Sequence, residues 1–183
     1  MEPSFAHFRL MLAALLVGSV FAAPNAAAQN ALSMSVASDI LFPASSFSEA
    51  YNTGFGGNIQ LRYSTSPVFQ IGLTTGFFSW AVKDGQGATD LKGIPIRGLA
   101  IYEFANPVYL MLEGGVFLGW NSGGSGESST DFGYAVGFGV QPALSKDGDI
   151  RLDASLRYEG VARDTSPVNN VVLRIGVTFT VID

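Results

Sequence analysis

The sequence predicts an all-β chain, an eight-stranded antiparallel up-and-down β-barrel that spans a membrane after a cleaved signal peptide. Three observations lead there. Hydrophobic residues recur with a period of two from Ala31 onward, the connections between the periodic runs alternate short and long, and charge is scarce. Charged residues make up 14% of the chain against roughly 25% in a typical soluble protein. Hydrophobic residues reach 48%, mean hydropathy is +0.30, and lysine occurs only at positions 83, 92 and 146. A surface so poor in flexible cations implies that something other than water covers part of it.

Residues 1–28 read as a secretory leader. Arg9 closes a short polar start, Leu10 to Ala23 is apolar, and Ala26-Ala27-Ala28 offers small residues for cleavage before Gln29. The apolar run is shorter than the ~20 residues a spanning helix needs. The remaining 29–183 form one barrel domain, and no further domain is expected.

The strands follow in order: Ala31 to Asp39, Phe55 to Tyr63, Val68 to Trp80, Ile94 to Phe104, Val108 to Trp120, Asp131 to Gln141, Ile150 to Glu159 and Asn170 to Ile182. The last is the clearest. One parity reads Val171, Leu173, Ile175, Val177, Phe179, Val181, and the other Asn170, Val172, Arg174, Gly176, Thr178, Thr180. Ser64 to Pro67, Ala105 to Pro107 and Leu144 to Asp149 are tight connections rich in turn residues. Ile40 to Asn52, Lys83 to Lys92, Asn121 to Thr130 and the shorter Arg163 to Pro167 are the loops of the opposite end. Short turns face the periplasm in outer-membrane barrels, so an even strand count puts both termini there.

Alternation alone also fits a soluble lipocalin-like barrel, in which the sidedness is reversed. Two features favour lipid outside. The polar parity carries Gly, Ala, Thr and a few Arg, which suits a crowded lumen better than a solvated surface. Aromatic residues on the apolar parity gather toward both strand ends, with Tyr63, Phe69, Tyr102, Phe104 and Phe179 at one and Phe55, Phe77, Trp120, Phe132, Tyr134 and Tyr158 at the other. The lumen is then expected to hold Arg62, Arg97, Arg151, Arg157 and Arg174 against Glu103, Glu113, Asp153 and Glu159. Unpaired buried charge is costly, so these nine side chains predict an ion-paired plug, with Met111 and Phe117 filling more of the interior. A hydroxyl at lumenal Val172 would on this reading find polar partners.

The leader, the turn and loop alternation and the closing segment Val171-Val172-Leu173-Arg174-Ile175-Gly176-Val177-Thr178-Phe179 together resemble the outer-membrane β-barrel superfamily. Among its members, the OmpX/Ail-like and OmpA-barrel-like small barrels are the ones to compare. The resemblance implies residence in the outer membrane of a Gram-negative bacterium, contact with membrane lipid and lipopolysaccharide, and insertion by the barrel-assembly machinery, which reads a terminal aromatic residue. Phe179 fits that signal, although Thr180-Val181-Ile182-Asp183 follow it.

Composition also limits the chemistry. A net charge of −5 excludes the basic footprint of a nucleic-acid binder, and the absence of cysteine removes thiol catalysis and Cys-ligated zinc. The single histidine, His7, lies in the leader, so the mature chain has no imidazole for Ser-His catalysis or metal ligation. Asp84, Asp90, Glu127 and Asp131 lack the spacing of a calcium loop and read as a solvated acidic rim. No catalytic residue, cofactor or metal is expected. The sequence points to a monomeric, non-enzymatic barrel with surface-exposed loops and a structural, adhesive or envelope-protective role. A narrow channel for small solutes and a soluble periplasmic ligand-binding barrel are the alternatives.

Overall fold

The computed structural model describes residues 31–85, 89–122, 128–163 and 167–182. The leader assigned to residues 1–28 lies outside the described residues. Eight strands follow one another: β1 (Leu32–Pro43), β2 (Gly54–Ser66), β3 (Phe69–Trp80), β4 (Asp90–Ala105), β5 (Val108–Ser122), β6 (Ser128–Val140), β7 (Ile150–Ala162) and β8 (Val168–Ile182). Each pairs antiparallel with its sequence neighbours, and β8 returns to β1, so the sheet closes into a barrel without edges. A short helix, α1 (Phe47–Ala50), lies between β1 and β2.

The ends of the barrel differ as the connection lengths predict. At the turn end, β2 and β3 are joined through Pro67-Val68, and β4 and β5 through Asn106-Pro107. Proline is suited to such positions because it has no N–H to offer a ladder. The third turn, between β6 and β7, is longer but pinned. Leu144 N donates to Ile150 O at 2.7 Å, and Gly148 takes φ of +81°, which glycine adopts without a Cβ penalty. Pro95 shows the same rule inside a strand: the β3–β4 register is interrupted between Ile96 and Gly93, where Pro95 cannot donate.

Several strands run further toward the loop end than the alternation suggests. β1 continues to Pro43, β4 begins at Asp90, β5 reaches Ser122 and β6 starts at Ser128, so the loops expected at Ile40 to Asn52, Lys83 to Lys92 and Asn121 to Thr130 are shorter. Asn121, Ser122 and Ser128 to Thr130 are polar on both parities. Pairing therefore persists where hydrophobic alternation, the signal that marked the strand, has stopped.

Sidedness follows the apolar parity. Phe55, Leu73, Phe132 and Ile175 are exposed on the outer wall, as are the interfacial aromatics Tyr63, Tyr102, Phe104, Tyr134, Tyr158 and Phe179. On the inner face Arg174, Asp153 and Phe117 are 0% exposed. A one-residue slip would exchange those faces and carry the arginines into lipid. Glycines on the inner parity make room for large side chains. A Cβ on Gly137 would lie 2.5 Å from Arg157 Cβ, and one on Gly93 would lie 2.1 Å from the Phe117 ring.

Candidate functional site

The lumen is stratified along the barrel axis. Nearest the loops is an apolar layer of Leu41, Phe78, Trp80, Leu91, Phe117, Val161, Val168 and Val172, capped by Phe47 from α1. Phe47 meets Trp80 edge-on, ring centroids 5.7 Å apart, and stacks on Tyr51 at 4.5 Å. Trp80 Nε1 donates to Asn170 Oδ1 at 3.1 Å, so its one polar group is satisfied in an otherwise apolar shell. This layer escapes the alternation argument because Phe77 and Phe78 place aromatics on both faces of β3 at once. Val172 belongs to it at the border with the charge layer, since it directly faces Arg157 across the β7–β8 pair as well as Leu41 on β1.

Below it lies a layer of buried charge built on two centres. Asp153 on β7 accepts from Arg62 Nη2 and Arg174 Nη1, both at 2.6 Å, and from Tyr109 OH at 2.6 Å. Arg157 on β7 is the second centre. Its guanidinium meets Asp39 at 3.1 Å, Glu113 at 3.5 Å and Glu159 at 2.9 Å, and Arg97 approaches both Glu113 and Glu159 at 3.3 Å. The Glu159 contacts are close enough for ion pairing but are not aligned as hydrogen bonds.

Two amides tie the centres together, each by the same device. Asn58 donates to Asp39 and accepts from Arg174 Nε. Gln60 donates to Glu113 at 3.0 Å and accepts from Arg62 Nε at 3.0 Å. Each side-chain amide thus spans a carboxylate and a guanidinium, using its donor and acceptor ends at once.

Of the nine charges assigned from sequence, Arg62, Arg97, Glu113, Asp153, Arg157, Glu159 and Arg174 converge in this layer. Glu103 and Arg151 stand apart, half-buried toward the turn end. Glu103 accepts from Gln70 Nε2 at 2.8 Å, and Arg151 Nε donates to the Gly148 carbonyl at 3.3 Å. Asp39 is the member sequence reading missed. It falls at the end of the first periodic run, yet its parity with Ser33, Ser35 and Ala37 was the available signal. With Asp39 included, the inward acids match the five inward arginines one for one. Near the loop rim Arg163 pairs with Asp131 at 2.8 Å and covers the Phe117 ring at 5.9 Å. Asp90 accepts from Val82 N at 3.0 Å, and Glu127 lies outside the described residues.

Side chains from facing strands meet across the axis in both layers, as the narrow interior of an eight-stranded barrel favours.

Comparison with known proteins agrees with this architecture. A family described as "Outer membrane protein beta-barrel domain" matches residues 13–180. Among solved structures, the chain is similar to Neisserial surface protein A, with 23% identity and a TM-score of 0.62 over 81% of this chain and 96% of that one. It is similar also to Ail, the attachment invasion locus protein of Yersinia pestis, with 18% identity and a TM-score of 0.59 over 82% and 99%. The outer membrane protein OprG from Pseudomonas aeruginosa aligns at 11% identity with a TM-score of 0.54 over 85% and 98%. Among curated protein sequences, none matches the chain. An apolar outer wall, a polar and ion-paired interior and a family match over nearly the whole length lead to one conclusion: the chain belongs to the outer membrane protein β-barrel domain family and resides in the outer membrane of a Gram-negative bacterium.

Proposed function

We propose that this outer-membrane barrel is a non-enzymatic, non-conducting display scaffold, with the turn end in the periplasm and the loop end outside. What supports the reading is a pair of side-chain layers packed across the lumen, an aromatic one at Phe47, Trp80 and Phe117 and a charged one around Asp153 and Arg157. Ion passage would require breaking buried pairs and displacing packed aromatics together. Neither layer holds a nucleophile activated by a base, and the chain's only histidine is in the proposed leader.

The work of such a protein falls to the loops and the rim. Attachment and invasion stand in the name of Ail, which shares the fold; an adhesive or envelope-protective role for the loops here extends that likeness. Lipid and lipopolysaccharide surround the apolar wall, and the barrel-assembly machinery is the expected insertion partner. The experiment is single-channel recording of the purified protein in a planar bilayer. It should show no stable open state, and a steady conductance of open-porin size would overturn the closed-scaffold reading. Surface adherence of cells expressing the protein should fall when the 44–52 loop is replaced by a Gly/Ser linker.

A further inference from the structure

One row of the outer wall is not explained by contact with hydrocarbon. At the loop end Ser79 on β3 faces Lys92 on β4, which in turn faces Trp120 on β5. All three lie on the outward parity, because Phe78, Trp80, Leu91 and Phe117 on the other parity of the same strands are buried in the lumen. Lys92 is the only lysine or arginine on that outward parity among the described strand residues, whereas Arg62, Arg97, Arg151, Arg157 and Arg174 stand on the inward one.

The row offers donors and finds no acceptors. Lys92 presents an ammonium, Trp120 an indole N–H and Ser79 a hydroxyl, and among the described residues none of the three side chains has a hydrogen bond or ion pair. Comparable groups elsewhere are engaged: Trp80 Nε1 donates to Asn170 Oδ1 at 3.1 Å, and Lys83 Nζ to the Ser48 carbonyl at 2.6 Å. Asp90, the nearest carboxylate along β4, accepts from Val82 N at 3.0 Å and makes no ion pair with Lys92. Nearer the middle of the wall the chemistry changes at once. Phe77 meets the Trp120 ring at 6.0 Å across β4, and Ile94 and Leu118 form the next outward pair. Tryptophan at the end of an apolar band marks the headgroup level, so the row stands where acyl chains give way to headgroups.

We propose that Ser79, Lys92 and Trp120 form a surface site for the phosphate of a membrane-lipid headgroup, whose acyl chains lie along Phe77, Ile94 and Leu118. A phosphate brings what the row lacks, negative charge and several acceptor oxygens in one small group. The chain's net charge of −5 opposes anion binding in general, so the attraction is local to Lys92. With the loop end outside, as proposed above, the lipid is one of the outer leaflet; micelles have no leaflets, so binding in them is tested independently of that orientation and of conductance.

The test is native mass spectrometry of the folded protein released from an uncharged detergent, titrated with dilauroyl phosphatidic acid or with dilauroylglycerol, which has the same chains and no phosphate. The first phosphatidic acid should bind about fivefold more tightly than the diacylglycerol, the gain expected of one lysine at a lipid surface. Lys92→Gln should remove that preference and Lys92→Arg should retain it. Trp120→Phe, which keeps a ring and loses the N–H, should reduce it, and Lys146→Gln in the β6–β7 turn should leave it unchanged. Inorganic phosphate at the lipid's concentration should not compete. Folding of each variant is checked by its heat-dependent gel mobility. Equal binding of both lipids, or a preference that survives Lys92→Gln, would mean a solvated lysine only and overturn the site. An equal loss in Lys146→Gln would mean unspecific charge attraction, and displacement by inorganic phosphate would mean a free-ion site; either result overturns the proposal as well.

Discussion

Two neighbouring layers of one lumen solve the same problem with opposite chemistry. The loop-end layer excludes water with aromatic and branched side chains, whose contacts depend on shape and tolerate imperfect direction. The charge layer excludes it with paired arginines and carboxylates, which must each find partners at defined distances. The difference lies in how each fails. Truncation in the first leaves a void with a graded cost, whereas loss of one member in the second strands an opposite charge with no solvent to receive it.

That contrast is most sharply tested at Asp153. Asp153→Ala leaves Arg62 and Arg174 without their shared carboxylate and Tyr109 without its acceptor, so folding into lipid vesicles should lose about 3–5 kcal/mol by urea titration. A cost below 1 kcal/mol would mean that the layer is hydrated and its charges independently solvated. The next effect should come from the outer wall. Leu173 faces outward between Leu156 and Ile40, so Leu173→Arg should cost up to about 2–4 kcal/mol in the same assay.

One residue away, Val172→Thr changes chemistry at nearly constant volume inside the aromatic layer. It should cost up to about 1–3 kcal/mol if the hydroxyl is held by the apolar cluster, and less if it bonds Arg157 directly opposite on β7. A neutral result would mean that the charge layer extends through Arg157 into the apolar one, and the two layers would differ less than their composition implies. The smallest effect belongs to Arg163→Ala. The Arg163–Asp131 pair is partly exposed at the rim, and its loss should cost about 1 kcal/mol or less. Because solvent screens it, that cost should shrink further in high salt, while the Asp153→Ala cost should hardly change.

Fold, strand order and sidedness were legible in the sequence because a closed barrel in lipid makes one parity answer to hydrocarbon along most of each strand. Arg174 and Leu173 are adjacent and opposite, and no other register keeps both in place. The lumen was legible only in part. Inward arginines stand out among glycines and threonines, but which carboxylate each reaches depends on stagger between strands distant in sequence. Asp39 was missed because it ends a periodic run, and Glu103 and Arg151 were included because parity reports the face a residue occupies and says nothing of its depth along the axis. The aromatic layer was legible only at Phe117, which parity placed inside; Phe78 and Trp80 share the inner parity of β3, but the outward aromatics on the same strand masked them.

The seam between β1 and β8 carries a consequence for how the molecule comes into being. The residues that meet there come from the two ends of the described chain, with Leu32 facing Ile182 and Ser35 bonded to Arg174 across 139 positions. Contacts of such sequence separation are slow to form, and until they do, both terminal strands present unpaired edges. Arg174 reaches Ser35 and Asn58 only across that seam, so its guanidinium reaches its full set of partners only when the last strand docks. Closure of the ring and neutralisation of the interior are therefore one late, cooperative event, and a chain halted before β8 keeps an open edge together with unmatched charge.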